Sequence, residues 1–221
     1  MSAFDRVLFR SLNMANAALA MPAVRGATIF DYGRHCALWI SAFEILAHHD
    51  SGRNRADLSA VLDLLERKPH WFRQLNARRY TVRHRGRTRR TSLACKLYAL
   101  LYQVRNDFLH GNPVDNRTLL LKESGRFIGH FAPLLYRCAL RNYLDLHYVP
   151  PAPLEDQQAR EAAQLAAHDY EEPQFDVEQA LLLARVSPAA HVMLPRAHRV
   201  HRDRPRPHRD HRPRMRASLS S

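Results

Sequence analysis

Apolar side chains recur at steps of three and four residues through much of this chain. Because a helix turns about 100° per residue, this spacing collects them on one helical face. Only seven of the 221 residues are glycine, and no sustained alternation of apolar and polar residues supports strands. The pattern predicts an all-α fold, a helical bundle of about five helices. Its clearest stripe consists of Leu93, Leu97, Leu100, Leu101, Val104 and Phe108.

Prolines and capping residues predict where these helices begin and end. The predicted helices cover about residues 4–20, 30–48, 54–68, 91–111 and 126–147. Asn54 is the predicted N-cap of the third helix. The second helix is the most apolar of the five, so we expect it to anchor the bundle.

A proline-rich run at residues 149–153 marks the predicted domain boundary, because it cannot continue a helix and favours an extended linker. We therefore predict a helical domain at residues 1–148. Residues 149–221 are predicted to hold the linker, two weak helices near 155–170 and 177–186, and a disordered tail rich in arginine and histidine.

The net charge of +13 is concentrated in two segments. Residues 78–90 hold seven arginines and no acid, and residues 196–216 hold nine arginines against two aspartates. Such patches attract polyanions, and we expect RNA as the partner, guided by the first segment toward the helix that follows it. Alternatively, a general bias toward arginine fills solvated loops. The candidate RNA-binding residues are Arg78, Arg79, Arg83, Arg85, Arg87, Arg89 and Arg90.

Three cysteines, an odd number without close spacing, predict buried free thiols in a reducing compartment. No apolar stretch approaches the roughly 18 residues that a membrane span requires. We therefore expect a cytoplasmic protein without a membrane partner, and no metal ion or other cofactor.

Residues 102–111 combine a permanent cation with an imidazole at the end of an apolar helix. Four Arg-x4-His pairs occur in the chain, but only Arg105 and His110 follow a helical apolar stripe. Gly111 is the predicted C-cap and Pro113 prevents continuation, so His110 falls in the last turn. The alternative interpretation is a helix end whose cations merely complement the helix dipole.

Arg105, the polar Asn106 directly after it, a short spacer, and His110 followed by Gly111 resemble the motif of the HEPN superfamily, most closely its Apea-like branch. A weaker match is the apolar helix of residues 38–46, which carries a single acid, Glu44. The resemblance covers roughly residues 30–147. It implies a metal-independent endoribonuclease in which two motif helices of a homodimer build one composite site.

RNA cleavage of this kind needs a base for the ribose 2′-hydroxyl, an acid for the leaving 5′-oxygen and positive charge for the phosphorane. We expect His110 to act as base or acid, and Arg105 to hold two phosphate oxygens through its planar fork. Asn106 is expected to orient His110 or to donate to a phosphate oxygen. The products would be a 2′,3′-cyclic phosphate and a 5′-hydroxyl, and DNA should resist because it lacks the nucleophile.

Supporting roles are predicted for three more residues. Glu44 is a candidate partner of a motif arginine across the bundle, and Asp107 is expected to accept from an N–H or an arginine rather than to catalyse. Tyr102 is assigned, with Tyr98, Gln103 and Arg105, to a symmetric dimer interface.

Two other functions stay open at this point. The first is a non-catalytic HEPN-type module that binds RNA or a nucleotide, or that docks another protein. The second is a basic protein that coats nucleic acid through its two arginine-rich segments. Family analogy adds a toxin or antiphage defence effector, restrained by an inhibitory or activating protein partner.

Overall fold

The computed structural model describes residues 2–21, 27–50, 58–67, 77–84, 86–146, 157–188 and 192–193. These residues are mostly helical, as the apolar period predicted. The helices are α1 (Ala3–Leu19), α2 (Ile29–Asp50), α3 (Leu58–Glu66), α4 (Leu93–Leu109), α5 (Ala132–Tyr143) and α6 (Gln157–Leu182), with a 3-10 turn at Ile128–Phe131 before α5. The strands are β1 (Tyr80–His84), β2 (Arg87–Thr91) and β3 (Val192–Met193).

Helix α2 lies at the centre of the core, as predicted from its apolar content. Its side chains Trp39, Ile40, Phe43 and Leu46 are almost completely buried. The helix contacts α1, α3, α4 and α5. A fully buried large side chain stabilises the fold by about 1.5–3 kcal/mol, so α2 is the element on which the others are assembled.

A buried hydrogen-bond network joins α1, α2 and α5. The Ser11 hydroxyl on α1 donates to the carbonyl of Ala42 on α2 at 2.7 Å and lies 2.6 Å from the Tyr136 hydroxyl on α5.

Ser2 begins α1 with a capping box, in which its hydroxyl accepts from the backbone N–H of Asp5 and the Asp5 carboxylate accepts from the Ser2 N–H.

The predicted bundle has one addition, a small sheet of strand order β2-β1-β3. Strands β1 and β2 form an antiparallel hairpin, and β3 pairs parallel with β1. The expectation of little strand overlooked a short alternation in β1. Tyr80 and Val82 are buried there, whereas Arg83, which follows Val82, is exposed. Gly86 lies in the tight turn with a φ of +79°, which glycine adopts without strain.

The C-terminal part departs from the prediction of two weak helices. Helix α6 is one continuous element with Pro173 inside it, because a proline disturbs only the turn that precedes it. Val177 and Leu181 are buried in the common core, as are Ala184 and Val186 just beyond the helix. Packing therefore continues past the predicted boundary at residue 148. The predicted linker at residues 149–153, the tail segment 196–216 and the N-cap Asn54 lie outside the described residues.

Two further predictions concern the cysteines and membrane-spanning helices. The three cysteines, Cys36, Cys95 and Cys138, are buried free thiols, as predicted, and burial raises the pKa of each to about 12. No helix in the described ranges has the length and apolar character needed to cross a membrane.

Candidate functional site at the end of helix α4

Helix α4 begins and ends where the sequence predicted. The Ser92 hydroxyl caps its start by accepting from the backbone N–H of Cys95 at 3.4 Å. His110 is the C-cap residue, and Gly111 follows with a left-handed φ of +68°. The predicted stripe is confirmed as a core face, since four of its six members are buried and Leu100 and Phe108 are partly buried against them.

The turn after α4 is fixed by Asp107. Its backbone carbonyl accepts from the Asn112 N–H at 3.0 Å, and its carboxylate accepts from the Asn112 side-chain amide at 2.8 Å. The prediction that Asp107 serves as an acceptor of an N–H is confirmed. These two bonds stop the chain directly behind His110, so the motif stands on a defined helix end.

Arg105 is half-buried and held on two sides. Its Nη1 donates to the side-chain oxygen of Asn106 at 2.9 Å, and its guanidinium carbon lies 5.9 Å from the ring centre of Tyr102. The guanidinium has five N–H donors, and the Asn106 bond uses one of them. A restrained planar fork of this kind can bind a phosphate with little loss of side-chain freedom.

His110 is exposed at the open end of the helix. Its backbone N–H donates to the carbonyl of Asn106 at 2.9 Å. The side chains of Asn106 and His110 are not joined by a hydrogen bond in this structure, so the role expected of Asn106, to orient His110 or to donate to a phosphate oxygen, stays a prediction. The Asn106 carboxamide holds Arg105, since its oxygen accepts a charge-assisted hydrogen bond from the guanidinium.

Glu44 and Tyr98 lie behind Arg105. Burial raises the pKa of Glu44, and the positive charge of Arg105 opposes that rise. Glu44 and Arg105 make no direct ion pair, so the predicted pairing of these two residues exists only as a longer-range attraction. Burial also raises the pKa of Tyr98 well above its usual range, and the Tyr98 hydroxyl is buried with no hydrogen-bond partner in the part of the chain that the structure describes.

The predicted dimer interface requires correction at two of its four positions. Tyr98 has no exposed surface and packs against Phe43, with ring centres 4.9 Å apart. Gln103 lines a cleft on a different side of α4. Tyr102 and Arg105 are partly exposed, and the sequence pattern overlooked Leu109, which is 59% exposed beside the motif.

That cleft, of about 320 Å³, lies between α4 and residues 117–123. Arg105, Asn106 and His110 do not line it. Lys96 lies at its wall with no exposed surface, donating from Nζ to the Thr81 carbonyl at 2.9 Å. Burial lowers the Lys96 pKa to about 8, against the opposing charge of Glu123. The cleft is thus separate from the motif.

Two of the seven predicted RNA-binding arginines have structural roles. Arg89 donates from Nη1 to Asp63 at 2.6 Å and from Nη2 to Glu66 at 2.7 Å. Arg79 contacts Glu66 at 3.4 Å and donates to the backbone carbonyl of Arg90 at 3.0 Å. Strand periodicity could have identified Arg89 as an inward position, whereas its acidic partners on α3 depend on the tertiary fold.

The remaining arginines of this segment are distributed differently. Arg83, Arg87 and Arg90 are exposed on the hairpin, and Arg78 is exposed just before it. Arg85 lies outside the described residues. The hairpin joins the N-terminal end of α4, so it does not enter the site directly. The motif is at the other end of this 17-residue helix, about 25 Å away at 1.5 Å per residue.

Comparison of the chain with protein-family models, with curated proteins and with solved structures found no match. The resemblance to the HEPN superfamily therefore rests on Arg105, Asn106, His110 and Gly111, and on the apolar helix that carries them. The geometry of these residues is the basis on which a function is proposed.

Proposed function

We propose that this chain is a HEPN-type, metal-independent endoribonuclease with a HEPN-like helical bundle. The observation that carries the proposal is the pairing of a restrained guanidinium with an exposed imidazole at one helix end. Asn106 and Tyr102 hold Arg105, and Gly111 ends the helix so that His110 faces solvent. A helix end that served only to complement its dipole would not need the arginine fork to be fixed.

The proposed reaction uses the RNA's own 2′-hydroxyl as nucleophile. The 2′-oxygen loses its proton to a base and bonds to phosphorus, the bond from phosphorus to the 5′-oxygen breaks, and an acid protonates that oxygen. His110 would move one of these protons, while Arg105 stabilises the charge on the non-bridging oxygens. The products are a 2′,3′-cyclic phosphate and a 5′-hydroxyl.

One imidazole cannot act as base and acid in the same step, so the proposal includes a homodimer. Two copies of α4 that meet near Tyr102, Arg105 and Leu109 would place two His110 side chains in one composite site. By the same resemblance, the activity would belong to a toxin or antiphage effector under the control of a protein partner.

The test is incubation of purified protein with labelled RNA in excess EDTA, alongside the matching deoxy substrate. We expect RNA-only cleavage that falls at least about 100-fold in His110→Ala, since general acid–base catalysis contributes about 10²–10⁴-fold. Arg105→Lys should also lose activity, because an ammonium lacks the planar fork.

The matched control is His48→Ala, which removes another exposed histidine, near the C-terminal end of α2. This variant should retain activity. Cleavage that persists in His110→Ala would contradict the assignment of this site. RNA binding without cleavage by the unaltered protein would instead support the non-catalytic HEPN-type module.

A further inference from the structure

Strand pairing divides the arginines of the hairpin into two sets. In an antiparallel pair, residues directly opposite each other project to the same side, and successive residues alternate. Val82 pairs with Arg89, and Val82 is buried, so Arg89 faces the domain. Arg83 and Arg90, one position away on each strand, therefore project to the opposite side, where both are exposed.

The inward set is neutralised by acids of α3. Arg89 bridges Asp63 and Glu66, and Glu66 also contacts Arg79. Glu66 accepts a further hydrogen bond from the backbone N–H of Ser92 at 2.9 Å. These bonds fix the hairpin against the domain, so its arginine-bearing surface has a defined orientation.

The exposed arginines have no such partners. Arg83 and Arg90 project from the outer face, whereas Arg87 projects to the same side as Arg89 but is exposed at the tip of the hairpin. None of the three forms an ion pair within the described residues, and residues 78–90 contain no acid. We call these three side chains the exposed hairpin arginines. They present unpaired guanidinium forks on a hairpin that is bonded to the domain through Arg89, and such forks are donors that suit phosphate oxygens.

We propose that the exposed hairpin arginines bind the phosphate backbone of single-stranded RNA at a distance from the bond that is cut. This inference rests on the proposed function for the identity of RNA as the ligand. Because the hairpin and the motif lie at opposite ends of α4, about 25 Å apart, only an RNA long enough to reach both would gain from the hairpin.

The experiment compares two triple variants that remove the same charge. One carries Arg83→Gln, Arg87→Gln and Arg90→Gln. The control carries Arg6→Gln, Arg10→Gln and Arg137→Gln, which replace exposed arginines on α1 and α5. Both are made with and without His110→Ala, and thermal unfolding verifies that each variant folds.

Binding of a fluorescent single-stranded RNA is measured in the His110→Ala background at several salt concentrations. Three lost phosphate contacts should lower affinity by about tenfold to 100-fold near 0.1 M salt and reduce the salt slope by about 2. The control triple should change both values much less. Single-stranded DNA of equal length should show the same loss, because phosphates are what the surface recognises.

Cleavage assays test the proposed RNA-binding surface separately from the proposed nuclease activity. With His110 present, the hairpin triple should cleave a dinucleotide like the unaltered protein and a long RNA much less efficiently at low concentration. Equal binding losses in both triples would overturn the surface, whatever the activity. A hairpin-specific binding loss in a protein that never cleaves RNA would support the surface and overturn the nuclease.

Discussion

His35 shows how one half-buried side chain couples stability to pH. The indole N–H of Trp39 donates to His35 Nε2 at 3.1 Å, so that nitrogen must be unprotonated in the folded protein. The other ring nitrogen is buried and has no hydrogen-bond partner among the described residues. Burial lowers the pKa of His35 from 6.5, and the nearby His130 lowers it further.

The sign of the pH effect follows from that lowered pKa. The unfolded chain binds the proton more readily, so the stabilisation is present above pH 6.5 and is lost as pH falls through the folded pKa. We expect urea unfolding to show lower stability at about pH 5 than at about pH 7.5, with the lost Trp39 bond contributing on the order of 1 kcal/mol.

The matched variant is His35→Gln, whose amide oxygen can accept from Trp39 without titrating in this range. It should lose less stability on acidification than the unaltered protein. An identical loss in both proteins would show that other histidines dominate the acid response.

For single residues, the sequence predicted positions along a helix well but predicted less well which side chains contact each other in the folded chain. The helix end at His110 and the left-handed Gly111 were predictable because capping depends on nearby residues. Tyr98 was misplaced because the helical angle gives its direction but not the presence of Phe43 on α2 in that direction. The pairing of Arg105 with Asn106 was likewise not encoded in any spacing rule.

Among the elements, α2 and the end of α4 are in close contact at Gly33. A Cβ atom at this position would lie 2.6 Å from the Phe108 ring, inside any normal contact distance. An exposed Gly→Ala change within a helix usually stabilises by about 1 kcal/mol. At Gly33 the steric conflict reverses that sign.

We expect Gly33→Ala to lower the free energy of unfolding by about 1–3 kcal/mol, the usual cost of overpacking. Since Phe108 lies in the last turn of α4, the proposed RNA cleavage should fall as well. Unfolding by urea measures the first effect. Combining Gly33→Ala with Phe108→Leu should recover part of the stability, and a purely additive loss would contradict the contact.

The helices were easier to predict than the sheet for a physical reason. Each long apolar stripe averages over several turns, whereas β1 and β2 have five residues each and bury only a few side chains. Helix α6, which contains Pro173, was predicted as two weak helices near 155–170 and 177–186. Burial of Val177 and Leu181 stabilises the helix after the proline.

For the molecule as a whole, the proposed composite site makes activity depend on self-association. Light scattering at micromolar concentration should give twice the chain mass of 25.6 kDa. Leu109→Glu should produce a monomer with little cleavage activity, because it buries a charge beside the motif in the proposed interface.

Leu165→Glu is the matched control, since Leu165 is 66% exposed on α6 and should tolerate the charge as a dimer. A monomeric unaltered protein would remove the homodimer from the proposal. An active monomer would also require a second group in each chain to complete the proton transfers.

The bonds around Glu66 have a geometric consequence for the complete molecule. One carboxylate joins the arginines of the hairpin to Ser92, the residue from which α4 departs. A helix is stiff over this length, so fixing its origin also fixes the position of its far end. If RNA is bound at the hairpin, the length of α4 sets the distance from there to the motif. Cuts should then fall at a constant separation from the RNA segment that the hairpin binds.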